Sequence, residues 1–547
     1  MEIVAAVFAD FVETFLGGPS QLLTRLGSRS ILGHTLTRLA CVGGLSRRCL
    51  LVRPRDQGVA HDALRALSLD KVFEVLPLDD GQRPRRSLIR SARKWGLESW
   101  RGSPLGTTWF DEYLEPLPAG RVLDHYRAEA VLCLDGHQPA LDSAIAEQML
   151  THLHENADEA RLVFTQAPPG VAGLILRRLV VRELLERQHS FGLSLAYRPE
   201  TPGLDPITSP NCCRVAALVA QTAARLTGDT RRSRELLAAA FAELGEDCDA
   251  VTLCDWLRRP GHDRAGPLPV EIELELTTDD PLPETMLRPR GSRIPRRRLP
   301  DLDAVGRLAA ELATYDDRLV VLAGHGDPLL HPGFTDVCRR VRDAGVCGLA
   351  VRTPLVELPE AAVEAMLETR VDLVEVLLDA SCRDTYRTVN RLDAYDRVLA
   401  NVERIQQARR TRLCPQPIVV CSLTRCSATL SDTEPFYDHW VRQGGWAVIH
   451  GYNDFAGILP PDTTLCLTPP VREPCRRLAR SLSLLADGRV AQCGQDAVGG
   501  TEVARWTEQP LEAIWRGSPL TRLRQAHAEL DLRAYPMCRR CGEWFRP

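Results

Sequence analysis

Residues 474–496 read PCRRLARSLSLLADGRVAQCGQD. Cys475 and Cys493 bracket two short apolar runs, 481–485 and 489–492, joined through Ala486-Asp487-Gly488. Asp-Gly is a strong hairpin signal, because glycine tolerates the positive φ such a turn needs. A hairpin here returns Cys493 towards Cys475. Cys538 and Cys541 follow as Cys-Arg-Arg-Cys. Four thiolates arranged this way suit one tetrahedral metal ion or the corners of a four-iron cluster.

With LEAIWRG (511–517) and MCRRCGEWF (537–545) behind it, the stretch resembles the SPASM/twitch extension of radical S-adenosylmethionine enzymes. The resemblance implies a C-terminal module over 472–547 holding one auxiliary [4Fe-4S] cluster through Cys475, Cys493, Cys538 and Cys541. The extra cysteines that bind a second cluster in the extended form are missing. The residues alone leave zinc open as the alternative, in a zinc-stabilised interaction protein. Zinc sites usually carry two Cys-x-x-Cys pairs, and this chain has one.

Upstream, composition sets the frame. At 547 residues the chain has room for roughly three domains. A net charge of −4 gives no reason to expect a nucleic-acid partner. No apolar run reaches the ~18 residues of a membrane span, and MEIVAAVFADF (1–11) reads as a first strand instead of a signal peptide. A cytoplasmic protein without a membrane partner is expected, its small-molecule or protein partner unidentified. In a reducing compartment its 18 cysteines are not expected to form disulfides. Cys41, Cys133, Cys347 and Cys421 sit in apolar runs, as core residues do. Lysine occurs only at Lys71 and Lys94, which excludes a Schiff-base or P-loop lysine elsewhere.

Between a Pro/Gly-rich boundary at 261–269 and about residue 465, strand-like runs at 270–276, 319–323, 348–352, 373–378, 417–423 and 446–451 alternate with helices. That pattern predicts a partial or full barrel of parallel strands. GHGDPLLHPGF (324–334), VDLVEVLLDASCRDTYRTVN (371–390) and YDRVLANVERIQ (395–406) resemble successive segments of the radical S-adenosylmethionine core. The resemblance places the binding of the S-adenosylmethionine amino group on Gly324, Gly326 and Asp327. In the family, the loop after the first strand carries Cys-x-x-x-Cys-x-x-Cys. Here VEIELELTTDDPLPETMLRPRG (270–291) sets Asp280, Glu284 and Leu287 at those positions. Leucine cannot bind iron, and carboxylates are hard ligands that replace thiolates poorly. Radical chemistry on S-adenosylmethionine is therefore expected to be absent. Cys347, Cys382, Cys421 and Cys426 lack the spacing to rescue the site. Asp279, Asp280 and Glu284 fit either a hard divalent ion or a solvated or Arg-paired loop. The run 288–298 is expected to be a solvated surface loop, and His325 and His331 turn or core residues.

Residues 1–260 show another strand–helix alternation, with strands expected at 3–8, 48–52, 71–76, 130–134 and 160–165, and helices at 30–41, 142–155 and 231–244. LGGPSQLLTRLGSRSILGHTLTRL (16–39) and LCLDGHQPALDSAIAEQML (132–150) resemble a MobA/cytidylyltransferase domain. That implies a nucleotide loop at Gly17, Gly18 and Arg25 and a Mg²⁺ ligand at Asp135. An alternative activity follows: nucleotidyl transfer to a sugar or sugar acid. Between Gly17 and Gly27 the basic residues expected inside the loop are reduced to Arg25. The expected architecture is α/β throughout: a Rossmann-like sheet (1–260), a radical-enzyme-like partial barrel (270–465) and the cysteine module. The expected function is an iron–sulfur protein on a scaffold that has lost its radical centre.

Overall fold

The computed structural model describes residues 1–78, 83–187, 190–195, 206–259, 266–299, 301–442 and 446–546. Residues 261–265 of the expected boundary lie outside the described residues. The chain divides into two compact units, Met1–Arg264 and Ala265–Pro547.

The first unit is built on β1 (Ile3–Ala9), a two-residue pair β2 (Arg25–Leu26) and β3 (Arg29–Ser30), then β4 (Arg47–Val52), β5 (Glu74–Pro77), β6 (Ala130–Asp135), β7 (Leu162–Val163) and β8 (Leu174–Arg177). Six of these form one sheet in the order β5-β4-β1-β6-β8-β7. Strands β5, β4, β1 and β6 are parallel, as the strand–helix alternation predicts. β1 is buried along its whole length, as a central parallel strand covered on both faces must be. Helices begin where side-chain caps stand ready. Ser30 accepts from Gly33 N–H, Asp142 from Ile145 N–H and Thr230 from Ser233 N–H.

Two expectations need correction. The run 160–165 yields only two strand residues, and 71–76 shifts to Glu74–Pro77, because Phe73 N–H closes a turn onto Leu69 O at 3.1 Å. The sheet is also mixed, since β8 runs antiparallel to both β6 and β7. This strand went unseen because LILR runs directly into the helix Arg178–Arg187, and one continuous apolar pattern hides the change of period.

The second unit carries a nine-stranded sheet. Six parallel strands come first: β9 (Glu271–Glu275), β10 (Leu319–Ala323), β11 (Gly348–Thr353), β12 (Leu373–Leu377), β13 (Ile418–Arg425) and β14 (Trp446–Gly451). Each pairs with the next, giving a partial barrel. The pleat sorts the side chains. Ile272, Leu274, Val374 and Val376 join the hydrophobic core, while Glu273, Arg352, Glu375, Thr424 and His450 line the inner cavity.

The C-terminal hairpin β15 (Ser481–Leu484) and β16 (Arg489–Ala491), with β17 (Glu502–Arg505), extends this same sheet. β15 lies parallel to β9, pairing Ser481 with Glu271 and Leu484 with Leu274. The open edge of the first barrel strand is thereby covered. Gly488 has φ +88° at the hairpin turn, and a Cβ there would stand 2.8 Å from Thr507 Oγ1. Asp487 accepts from the Arg489 amide within the same turn. Among the described residues no helix is long and apolar enough to cross a membrane.

Candidate metal centre and barrel cavity

Cys475, Cys493, Cys538 and Cys541 line one small cavity of about 20 Å³, walled by Leu478, Met537 and Trp544. Cys475 precedes the short helical turn Arg477–Ala479, Cys493 follows β16, and Cys538 lies in the helix Pro536–Arg540, which ends at Cys541. Three of the sulfurs accept N–H bonds. Gln492 Nε2 donates to Cys538 at 2.9 Å, Glu543 N to Cys541 at 3.3 Å, and the Gln495 amide to Cys493. Burial, then neighbouring thiols, pushes Cys538 up to about 11; burial likewise raises Cys493 and Cys541. These three sulfurs therefore favour the protonated thiol, and metal binding there must release protons. The all-sulfur donor set, the apolar wall and the N–H···S bonds fit an iron–sulfur cluster, whose properties depend on such outer contacts.

A second cavity, of about 170 Å³, opens inside the barrel. Its wall carries Glu273, Arg288, Arg290, Arg352, Glu375 and His450. Arg352 Nε meets Glu375 at 2.8 Å, and His450 Nε2 meets the same carboxylate at 2.7 Å. Against the opposing effect of burial, these two neighbours hold Glu375 well below the usual carboxylate range. Arg477, Gln495 and Glu543 line both cavities.

The loop after β9 is filled by the chain's own side chains. Asp280 pairs with Arg290 at 2.8 Å, both nearly inaccessible to solvent. Leu287 is buried in a cluster with Val389, Cys426, Tyr452 and Leu459. Glu284 lies exposed on the surface. The three positions aligned with the family's cysteines thus face three different environments. Asp279 pairs with Arg298, and Arg297 grips Glu275 through Nε at 2.7 Å and Nη2 at 3.0 Å. The expected solvated loop at 288–298 is corrected here, since Arg290 and Arg297 are buried. Cys426, set aside on its spacing, is brought by tertiary packing into the same cluster as Leu287.

The loop at Gly324, Gly326 and Asp327 packs against that segment. A Cβ on Gly326 would fall 2.2 Å from Thr277 O, and Asp327 N donates to Asp279 O at 2.8 Å. Gly324 lines the barrel cavity. Asp327 is fully buried, where its Oδ1 accepts from Leu329 N while Oδ2 lacks a hydrogen-bond partner. Burial, then the neighbouring Asp280 charge, pushes this carboxyl up to about 7. His331 serves the turn, accepting from Gly333 N with Nδ1 while Nε2 bonds Leu299 O. His325 is buried, lines the barrel cavity and meets Phe455 edge-on.

Residues 279–421 match the radical SAM superfamily, and residues 475–542 match SPASM, an iron–sulfur cluster-binding domain. The chain carries a radical SAM domain followed by a SPASM domain. An uncharacterized protein from Treponema pallidum (strain Nichols) is 25% identical over 289 residues, covering 51% of this chain and 79% of that protein. Two solved structures are also similar. A cytidylyltransferase from Leptospira borgpetersenii serovar Hardjo-bovis (strain JB197) is 15% identical, covers 47% of this chain and 94% of its own, and has a TM-score of 0.33. Streptococcus suis SuiB bound to its precursor peptide SuiA is 10% identical, covers 52% and 79%, and has a TM-score of 0.39. At TM-scores below 0.5 these likenesses carry no argument. The two domain matches support an iron–sulfur protein of the radical SAM type.

Ahead of the radical SAM domain, the loop with Gly17 and Gly18 folds upon itself. Gly17 N donates to Thr14 O at 3.0 Å, and Gly18 O accepts from Thr14 N at 2.8 Å. Arg25 is exposed on β2. Basic groups come instead from Arg53, Arg86 and Arg90, and these face the chain's own carboxylates. Arg53 meets Asp10 at 2.6 Å, while Arg86 and Arg90 each stand 3.8 Å from Glu13. Asp135 ends β6 beside His137, with Nδ1 to Oδ1 at 3.4 Å. Around Asp135, as at the four cysteines, the spacing is not that of a single-ion site: among the described residues no group of three or more His, Cys, Asp or Glu side chains is disposed to hold one metal ion.

Proposed function

We propose that this protein binds a single [4Fe-4S] cluster through Cys475, Cys493, Cys538 and Cys541, and that its radical SAM domain no longer performs radical chemistry. The observation that carries the reading is the buried Asp280–Arg290 ion pair, with Leu287 in an apolar cluster, where the family places its cluster-binding cysteines. A buried, satisfied ion pair is costly to break, and an apolar side chain offers iron nothing.

The SPASM cysteines then form the principal metal centre. A four-iron cluster suits electron storage or structural support of the hairpin that edges the barrel. Zinc is the alternative for the same four sulfurs, and the SPASM match, with only one Cys-x-x-Cys pair, favours iron. The carboxylates that already occupy Arg53, Arg86 and Arg90 weigh against nucleotidyl transfer by the first unit.

Anaerobic purification with iron and sulfide analysis tests the cluster, with about four irons per chain expected. Stoichiometric zinc without iron would sink it. Incubation with S-adenosylmethionine and a strong reductant tests the radical SAM domain. Formation of 5′-deoxyadenosine would overturn the claim of lost chemistry.

A further inference from the structure

His527 stands in the wall of the cysteine cavity and is 2% exposed. It lies in the helix Ser518–Ala528, outside the run of SPASM cysteines. The Cys475 backbone N–H donates to His527 Nδ1 at 3.3 Å. An accepting Nδ1 carries no proton, so the ring's proton sits on Nε2. That Nε2 is buried and has no hydrogen-bond partner.

Orphaned buried N–H groups are costly and rare. The sulfurs supply the complement. Cys493, Cys538 and Cys541 each accept one N–H bond. Among the described residues, no hydrogen bond is found at Cys475 Sγ. The two ring nitrogens of an imidazole point away from each other, so with Nδ1 turned to Cys475 N the Nε2–H faces away from that backbone, and among the described residues it meets no acceptor. Arg472 Nε and Arg477 Nε also lack partners, but both side chains are only half-buried, whereas the imidazole is sealed from water.

We propose that His527 is a positioning residue for the cluster, donating its Nε2–H to one of the cluster's sulfurs and thereby raising the cluster's reduction potential. The inference rests on the cluster reading above. An N–H aimed at sulfur stabilises the more negative, reduced state over the oxidised one. The Cys475 N–H bond at Nδ1 holds the ring in place from its other side.

The test uses the full chain with its cluster loaded. His527→Phe removes the donor, and His527→Gln offers a replacement N–H of similar reach. Redox titration followed by electron paramagnetic resonance should show a lower midpoint potential for the Phe variant and partial recovery for the Gln variant. Equal potentials in all three proteins would overturn the proposal, as would an equal fall in both variants. Should the Phe variant fail to hold iron, the unsubstituted protein decides. With ¹⁵N-histidine incorporated, the reduced cluster should show one weak nitrogen coupling. No coupling overturns the proposal, and so does a strong coupling of the kind direct ligation gives. Zinc in place of iron in the unsubstituted protein would defeat the cluster reading itself, a result distinct from either.

Discussion

Arg297 grips Glu275 with two hydrogen bonds, 2.7 and 3.0 Å long, at a point where both side chains are almost wholly buried. The same carboxylate accepts from His325 N at 3.1 Å and from Ala486 N at 3.2 Å. Arg297 Nη2 continues to Ala497 O at 3.1 Å. One ion pair thus joins the first barrel strand, the Gly-Asp-Pro loop, the arginine run and the SPASM hairpin.

Removing one partner should therefore cost more than removing both. Glu275→Ala strands a buried guanidinium and two amide N–H groups, with an expected loss of about 3–5 kcal/mol. The double change Glu275→Met, Arg297→Leu should lose much less. Chemical denaturation gives the magnitude, and hydrogen exchange should locate faster opening at residues 481–491. An equal loss in both variants would show that the pair acts only through packing.

Iron content should follow the cavity and not cysteine number. Cys493→Ser and Cys538→Ser should each lose at least half of the bound iron, since each removes one of the four thiolates that would hold this cluster. Cys466→Ser is the control, because Cys466 is exposed and lies outside the cavity wall. Loss of iron in the control would place the site elsewhere.

Asp327 gives a pH dependence with a definite sign. Its folded carboxyl is raised to about 7, first by burial and then by Asp280, against about 3.9 when unfolded. The protonated form is favoured in the fold, so its stability is fully present below about pH 4 and is lost as pH rises to about 7. Asp327→Asn keeps an oxygen for Leu329 N and cannot ionise. Relative to the natural protein it should gain stability across that window, on the order of a few kcal/mol. Melting temperatures at pH 4.5 and 7.5 measure this, and a difference that stays constant with pH would count against it.

In the first unit, arginines already paired with carboxylates have little left for phosphate. CTP with Mg²⁺ should bind no tighter than ~1 mM (about −4 kcal/mol). Asp10 also stands 3.6 Å from Arg86, so the double change Asp10→Asn, Glu13→Gln is needed to relieve Arg86 and Arg90, and it should produce salt-sensitive binding of tripolyphosphate. Micromolar CTP binding by the natural protein, measured by calorimetry, would restore the nucleotidyltransferase reading.

Much of the barrel was legible because each parallel strand is a short apolar run between helices, and burial on both faces demands that pattern. The strand expected at 373–378 appears as Leu373–Leu377, and 319–323 appears unchanged. Asp487-Gly488 announced its turn, and the helices expected at 30–41, 142–155 and 231–244 appear as Ile31–Ala40, Ser143–Glu155 and Arg231–Leu244. The burial of Arg290 and Arg297 was not legible. Nothing local distinguishes a solvated arginine from one that meets a carboxylate 22 residues upstream, as Arg297 does. His527 carried no motif at all. Its only sequence signal was a histidine on the apolar side of a helix, a position that core histidines share.

The sequence by itself determined the cysteine set, the turn at Gly488, the two strand–helix series and the absence of thiols at 280, 284 and 287. These follow from residue chemistry and from propensities acting over a few residues. Only the tertiary structure decided that β15 edges β9, that Leu287 packs beside Cys426, and that His527 Nε2 lies buried beside four sulfurs. The first of those contacts pairs Ser481 with Glu271, far apart in sequence. Such contacts are selected by whole-domain burial and the satisfaction of buried polar groups, which no short stretch of sequence contains.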